Sequence, residues 1–172
     1  FNDGRDWFFE RRFGMFVHWG LYALSGWHEQ TQWRQNVARA DYVKLIDRFN
    51  PVKYDPDAWL DAVESAGMEY ICFTTKHHDG FCLWDTKCTD FNVINSPYGK
   101  DLVGMLAEAC HRRGVKLCLY YSIADWHHPN YPNEGRHHEL PGPEPGDEPN
   151  WPKYMDFLRA QIRELCTNYG EI

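Results

Sequence analysis

The chain has 172 residues, the size of one ordinary domain, and 16% of them are aromatic while 25% are charged. That balance supplies enough apolar surface for a packed core and speaks against a disordered chain. A formal net charge of −7 with no run of Lys or Arg speaks against a nucleic-acid or acidic-membrane partner. No apolar stretch approaches the roughly 20 residues of a membrane-crossing helix. The chain opens on Phe1, without a signal-peptide pattern, which predicts a processed or trimmed start.

The predicted elements run as follows in chain order. A short aromatic-rich helix fits 6–12, a first strand fits 13–19, and a helix fits 41–49 before Asn50-Pro51. A longer helix over 57–66 is opened by Asp55 and Pro56 and stopped by Gly67, and a strand over 70–75 follows. The next helix, over 101–113, shows Leu102, Met105, Leu106 and Ala109 at helical spacing and stops at Gly114. The strand over 115–121 comes next, then a loop over 127–149 rich in Pro, Gly, Asn and Glu. A helix over 151–169 is capped by Asn150 and ended by Gly170, and Glu171-Ile172 opens a further strand. The strand runs are short and apolar, a pattern that predicts cover on both faces.

Helix, glycine, strand, long loop, helix is the repeat of an α/β protein with a parallel sheet. No G-x-G-x-x-G follows a strand, so a dinucleotide-binding sheet is not indicated. Connections after strands are long and those before strands are single glycines. This asymmetry favours a (β/α)8 TIM-type barrel, in which the loops after the strands build the site. A closed barrel typically takes about 250 residues. Residues 1–172 are therefore expected to be the N-terminal portion of one barrel domain: three βα units and the start of strand four.

Of the six cysteines Cys72, Cys82, Cys88, Cys110, Cys118 and Cys166, none lies in a CxxC pair, which argues against a zinc ribbon or thioredoxin-type centre. Cys82 and Cys88 share one loop, and whether they pair depends on the redox compartment.

The ends of the strands carry the chemistry. The first ends in His18-Trp19-Gly20. The second ends in Lys76-His77-His78-Asp79-Gly80-Phe81, with Trp84 and Asp85 beyond. The third ends in Tyr120-Tyr121-Ser122, followed by Asp125, Trp126 and His127. Each has an ordinary reading as well: His18 as a hydrogen-bonded core residue, Trp19, Trp33 and Trp84 as core aromatics, and Asp79 as the group that orients a histidine or caps a turn. The pairs His127-His128 and His137-His138 read as solvated loop residues. Neutral imidazoles, indole faces and carboxylates gathered in one cup suit a sugar, whose hydroxyls need directional partners and whose apolar face packs on an aromatic ring. A metal-dependent barrel hydrolase is the rival. Against it, side chains of consecutive residues such as His77, His78 and Asp79 alternate along a strand and converge poorly on one ion.

The phrases Phe13-Gly14-Met15-Phe16-Val17-His18-Trp19-Gly20, Thr75-Lys76-His77-His78-Asp79-Gly80-Phe81-Cys82-Leu83-Trp84 and Leu119-Tyr120-Tyr121-Ser122 with Asp125-Trp126 resemble glycoside hydrolase family 29, the α-L-fucosidases. Asn50-Pro51 and Asp57-Ala58-Trp59 fit the same family, and the resemblance runs from about Trp7 to the end of the chain. It implies a retaining exo-glycosidase that releases terminal α-L-fucose from glycans through a covalent glycosyl-enzyme intermediate. By position His18, His77 and His78 would bind the fucose hydroxyls. Tyr121 would sit near the nucleophile and the ring, and Trp33 would match the aromatic after the first strand. A Glu commonly precedes that Trp in the family, whereas Gln32 stands here. The family nucleophile Asp and acid/base Glu would fall after Ile172, so the resemblance places no catalytic carboxylate in this chain. It implies no metal or cofactor, a fucosylated oligosaccharide or glycoconjugate as substrate, and a secreted, periplasmic or lysosomal location. A carbohydrate-binding protein without catalysis is the other class consistent with these residues.

Overall fold

The computed structural model describes residues 2–172. Its long helices begin where the sequence provides caps. Helix α1 (Asp6–Glu10) is one turn and stops short of the expected 12. Strand β1 (Met15–Val17) is three residues rather than seven. Beyond it the chain turns through Gly20 into a 3-10 turn over Leu21–Ser25. Helices α2 (Thr31–Arg34) and α3 (Arg39–Tyr42) are also single turns. The helix expected over 41–49 is mostly a 3-10 turn, Val43–Arg48. Three residues per turn stacks Val43 over Ile46, and both pack on the core beside buried Tyr42 and Phe49.

Helix α4 (Pro56–Ser65) starts with Asp55 accepting the backbone N–H groups of Asp57 and Ala58, with Pro56 in its first turn. Strand β2 (Tyr70–Lys76) follows. Helix α5 (Leu102–Arg113) is capped by Asp101 and ends at Gly114, whose φ of 71° is the left-handed region that glycine enters without penalty. Strand β3 (Lys116–Tyr121) and helix α6 (Trp151–Asn168), capped by Asn150, complete the order.

The three strands form one parallel sheet in the order β1-β2-β3. Met15 pairs with Ile71 and Ile71 with Leu117, so residues at these register positions share a face. That face is the core. Ile71, Phe73 and Leu117 meet Leu60 and Val63 of α4 and Leu102 and Leu106 of α5, all buried. The other face carries Phe16, Cys72, Cys118 and Tyr120, and Phe16 is 55% exposed. Cover on both faces, as the apolar strand runs predict, is therefore seen on one only. The apolar pattern of a strand does not say which neighbour supplies the second layer.

Residues 127–149 form no helix or strand. They are tied down by Arg39, which donates to Glu144, Asp147 and the His127 carbonyl, and by Tyr131 packing on Tyr154 and Leu158 of α6. Trp84 is a core residue, fully buried, with its indole N–H donated to Glu164. Cys82 and Cys88 are both free: Cys82 is buried and accepts from the Gln161 amide, and Cys88 lies against Glu164. No helix among the described residues is long and apolar enough to cross a membrane.

Candidate functional site

The C-terminal ends of the three strands bring one group of rings together. Register between β2 and β3 shifts between Thr74 and Lys76, and the chain then leaves the strand in a turn closed by the Gly80 N–H on the His77 carbonyl. Gly80 holds φ 81°, and a side chain there would meet the Asp125 carboxylate and His127 Cβ at 2.6 Å. Because of this turn His77 and His78 do not alternate: their ring centres lie 4.3 Å apart. The strand-derived expectation of opposed directions fails here, since period-2 alternation applies only while the backbone stays extended.

His18 joins them from β1, 5.1 Å from His77. Tyr120 completes the group, 5.2 Å from His18 and stacked on His77 at 5.8 Å. Tyr22 approaches His77 at 5.7 Å. Tyr121 is turned away from these rings. Its hydroxyl donates to Gln161 and its face lies 4.6 Å from the Lys76 ammonium, on the helix side of the sheet. Tyr120 pairs with Thr74, the residue that holds His18, and therefore occupies the place in the cup that the sequence suggested for Tyr121. Trp33 stands at the outer wall, 5.4 Å from His138, which in turn lies 5.9 Å from His78.

The hydrogen bonds fix part of the proton placement. Ser122 donates its one hydroxyl hydrogen to the Ala124 carbonyl at 2.7 Å and lies 2.5 Å from His78 Nδ1. The Nδ1 atom must then donate, so the neutral His78 ring carries its acceptor lone pair on Nε2. His18 Nδ1 is 2.6 Å from the Thr74 hydroxyl. His77 is 4% exposed, and its Nδ1 is buried with no partner among the described residues; so are Gln32 Oε1 and the Tyr22 hydroxyl oxygen.

Burial, reinforced by neighbouring imidazoles, lowers His77 to about 3 and His78 to about 4, and burial lowers His18 as well. The imidazoles are therefore uncharged near neutrality, each with one donor and one acceptor. Glu29 is the carboxylate that sequence reasoning missed. Its side chain is 27% exposed and lies 3.4 Å from His28 Nδ1, and its charge reaches His18, Tyr22, His78 and Tyr120 through space rather than by a hydrogen bond. The available signal was its place in the polar loop after β1, three residues before Gln32.

Two other carboxylates near the cup are already committed. Asp79 accepts the Tyr42 hydroxyl at 2.7 Å and the Phe81 N–H, so it caps the turn, and burial raises it to about 7. Asp125 accepts the Lys76 ammonium at 2.6 Å in a fully buried pair. His127 and His128 are half-buried rather than solvated, His127 stacked 4.1 Å from Phe91 and His128 4.2 Å from Phe157. His137 is exposed as expected, while His138 is half-buried beside Trp33. Among the described residues no three His, Cys, Asp or Glu side chains gather as a metal-binding set.

Imidazoles and phenols gathered at the carboxyl ends of parallel strands stand where α/β proteins commonly carry their sites. The family model described as Alpha-L-fucosidase matches residues 2–171, and the chain belongs to that family. It is 32% identical over 142 residues to the tissue alpha-L-fucosidase of Bos taurus, covering 73% of this chain and 30% of the relative. It is 26% identical to the alpha-L-fucosidase of Dictyostelium discoideum over 95% of the chain and 39% of that protein. Among solved structures, alpha-L-fucosidase isoenzyme 1 from Paenibacillus thiaminolyticus superposes with a TM-score of 0.91 at 44% identity, over 98% of this chain and 41% of that one. The fucosidase from Lactobacillus casei in complex with its α-L-fucose product gives a TM-score of 0.87 at 34% identity, over 99% of this chain and 60% of that one. The chain thus spans between a third and two fifths of the curated relatives it matches most fully, and 30% of the bovine protein.

Proposed function

We propose that residues 1–172 are the N-terminal portion of a single (β/α)8 catalytic barrel, and that the whole protein is a retaining exo-α-L-fucosidase acting on fucosylated oligosaccharides or glycoconjugates. The observation that carries this reading is the cup itself. His18, His77, His78 and Tyr120 lie within 6 Å of a neighbour in the group, with His78 Nε2 left as an acceptor.

In this reading the His78 Nε2 accepts a fucose hydroxyl, His18 and His77 bind adjacent hydroxyls, and Glu29 accepts from a further one. Trp33 borders the sugar from the loop after β1. Retaining hydrolysis needs two carboxyl groups about 5–5.5 Å apart, one to attack the anomeric carbon and one to protonate the departing oxygen. Asp79 and Asp125, each held by a hydroxyl or an ammonium, serve neither role. The nucleophile and acid/base come from segments beyond Ile172, and the isolated 172-residue chain turns over no fucoside. A secreted, periplasmic or lysosomal location accompanies this reading.

The test is nitrophenol release by the intact protein from aryl α-L-fucoside beside α- and β-galactosides. Selective cleavage of the fucoside is expected. Silence across the panel from a folded protein that still binds fucose would replace the enzyme with a non-catalytic carbohydrate-binding protein.

A further inference from the structure

The loop after β1 presents a surface that begins at Trp33, which borders the fucose, and continues outward through Trp27 and Arg34, two residues that fucose leaves unused. Trp27 lies between the 3-10 turn Leu21–Ser25 and α2, and it is 50% exposed. Its ring rests on His28, with centres 4.2 Å apart, and no other aromatic contact holds it among the described residues. An indole left this open in water forgoes the burial that usually accompanies so large an apolar ring.

Trp27, Trp33 and Arg34 line an open groove of about 470 Å³, within the roughly 300–1,000 Å³ span of small-ligand sites. The Arg34 guanidinium lies 5.7 Å from the centre of the Trp33 ring. Its Nε is committed to Gln30 Oε1 at 2.8 Å, which aims the fork while leaving its terminal N–H groups as donors. The groove adjoins the cup. Gln30 Nε2 lies 3.3 Å from His138 Nε2, and His138 stands between Trp33 and His78. Two indoles and a donor-only cation form a surface for a second pyranose. A ring face packs on indole, and a hydroxyl or acetamido oxygen accepts from the guanidinium.

We propose that Trp27 and Arg34, continuing from Trp33 at the edge of the fucose cup, form the subsite for the leaving-group sugar, the pyranose to which the fucose is joined, and so determine which linked partner the protein accepts. This rests on the fucosidase reading. Trp27 would make no contact with the fucose ring, which occupies the imidazole cup. It would act on the departing sugar alone.

The experiment compares two substrates on the intact protein: a fucosyl disaccharide, and α-L-fucosyl fluoride, whose leaving group is too small to occupy a subsite. For Trp27→Ala the ratio of kcat/KM on disaccharide to that on fluoride should fall roughly tenfold, the scale of one aromatic contact. Trp27→Phe should recover most of the loss. Arg34→Ala, a change at an exposed side chain that leaves the core untouched, should lower the ratio about fivefold, the scale of one hydrogen bond. An unchanged ratio in Trp27→Ala and Arg34→Ala overturns the subsite while leaving the fucosidase reading intact. If Trp27→Ala fails to fold, Arg34→Ala alone decides, by a lowered ratio or an unchanged one. Wild-type protein that cleaves neither substrate overturns both.

Discussion

At the scale of single residues the cup works by withholding charge. An imidazolium donates from both nitrogens and binds a hydroxyl only as a donor, whereas a neutral ring offers one donor and one acceptor. Burial keeps His77 and His78 neutral down to about pH 3 and pH 4, and the Ser122 hydroxyl sets which nitrogen of His78 accepts. His78→Phe keeps a ring of similar shape against Trp126 but deletes the Nε2 acceptor. Losing one buried hydrogen-bond partner costs about 1–3 kcal/mol. In the intact protein kcat/KM for aryl α-L-fucoside should therefore fall by about ten- to a hundredfold, with a loss of stability of about 1 kcal/mol because the Nδ1 bond to Ser122 goes as well. Unaltered turnover would remove His78 from the site.

At the scale of elements, what the sequence made legible follows from local chemistry. Asp55 and Asn150 cap the helices they were expected to cap, because a short side-chain oxygen next to an apolar periodic run has little else to do; Asp101, read from the sequence as the first helical residue, is the cap of α5 for the same reason. The imidazoles of His18, His77 and His78 could be assigned to strand ends for the same reason. Tyr120 and Glu29 could not. Choosing between Tyr120 and Tyr121 requires the register of β3 on β2 and the shift near Thr74, a long-range fact that no local pattern carries. The single-turn helices α2 and α3 also left no periodic trace, since four residues do not complete an apolar stripe. One long-range tie beneath the cup is the Lys76–Asp125 pair, which joins the end of β2 to the segment after β3 with both side chains out of water. Burial opposes the Asp125 charge, but the Lys76 ammonium and the His128 N–H outweigh it and hold the carboxyl below its ordinary range. Lys76→Met would leave that carboxylate buried and unpaired, at a cost of about 3–5 kcal/mol. Lys76→Met with Asp125→Asn should recover much of the loss. Urea midpoints of the three proteins measure both effects, and equal midpoints for wild type and Lys76→Met would show that the pair does not hold these segments together.

At the scale of the whole molecule, a sheet covered on one face and a cup of buried titratable groups make stability depend on what else is bound and on pH. Exposed Phe16 lies on the sheet face that no helix covers. The pH dependence comes from the groups that change protonation on unfolding. His77 and His78 have native values of about 3 and about 4 against an ordinary 6.5. The unfolded chain therefore binds two protons that the native state refuses. Their contribution is complete above pH 6.5 and is lost as pH falls towards 4. Each imidazole gives a slope of about 1.4 kcal/mol per pH unit in that window. His18, His127 and His128 are lowered too and act in the same direction. Asp79 acts in the opposite direction. Its native value of about 7 lies above the ordinary 3.8, so the native state holds a proton that the unfolded state has released. Acidification from pH 7 towards 4 therefore favours the fold through Asp79 and offsets about one histidine. Net destabilisation on acidification is expected, because at least two imidazoles oppose one carboxyl. Asp79→Asn keeps an acceptor for the Tyr42 hydroxyl and removes the offset. Between pH 6.5 and 4.5 its unfolding free energy should therefore fall more steeply than that of the wild type, by about 1.4 kcal/mol per pH unit. Urea unfolding at pH 6.5, 5.5 and 4.5 measures the two slopes. Parallel slopes would mean that Asp79 is ionised in the native state and that Tyr42 donates to a carboxylate.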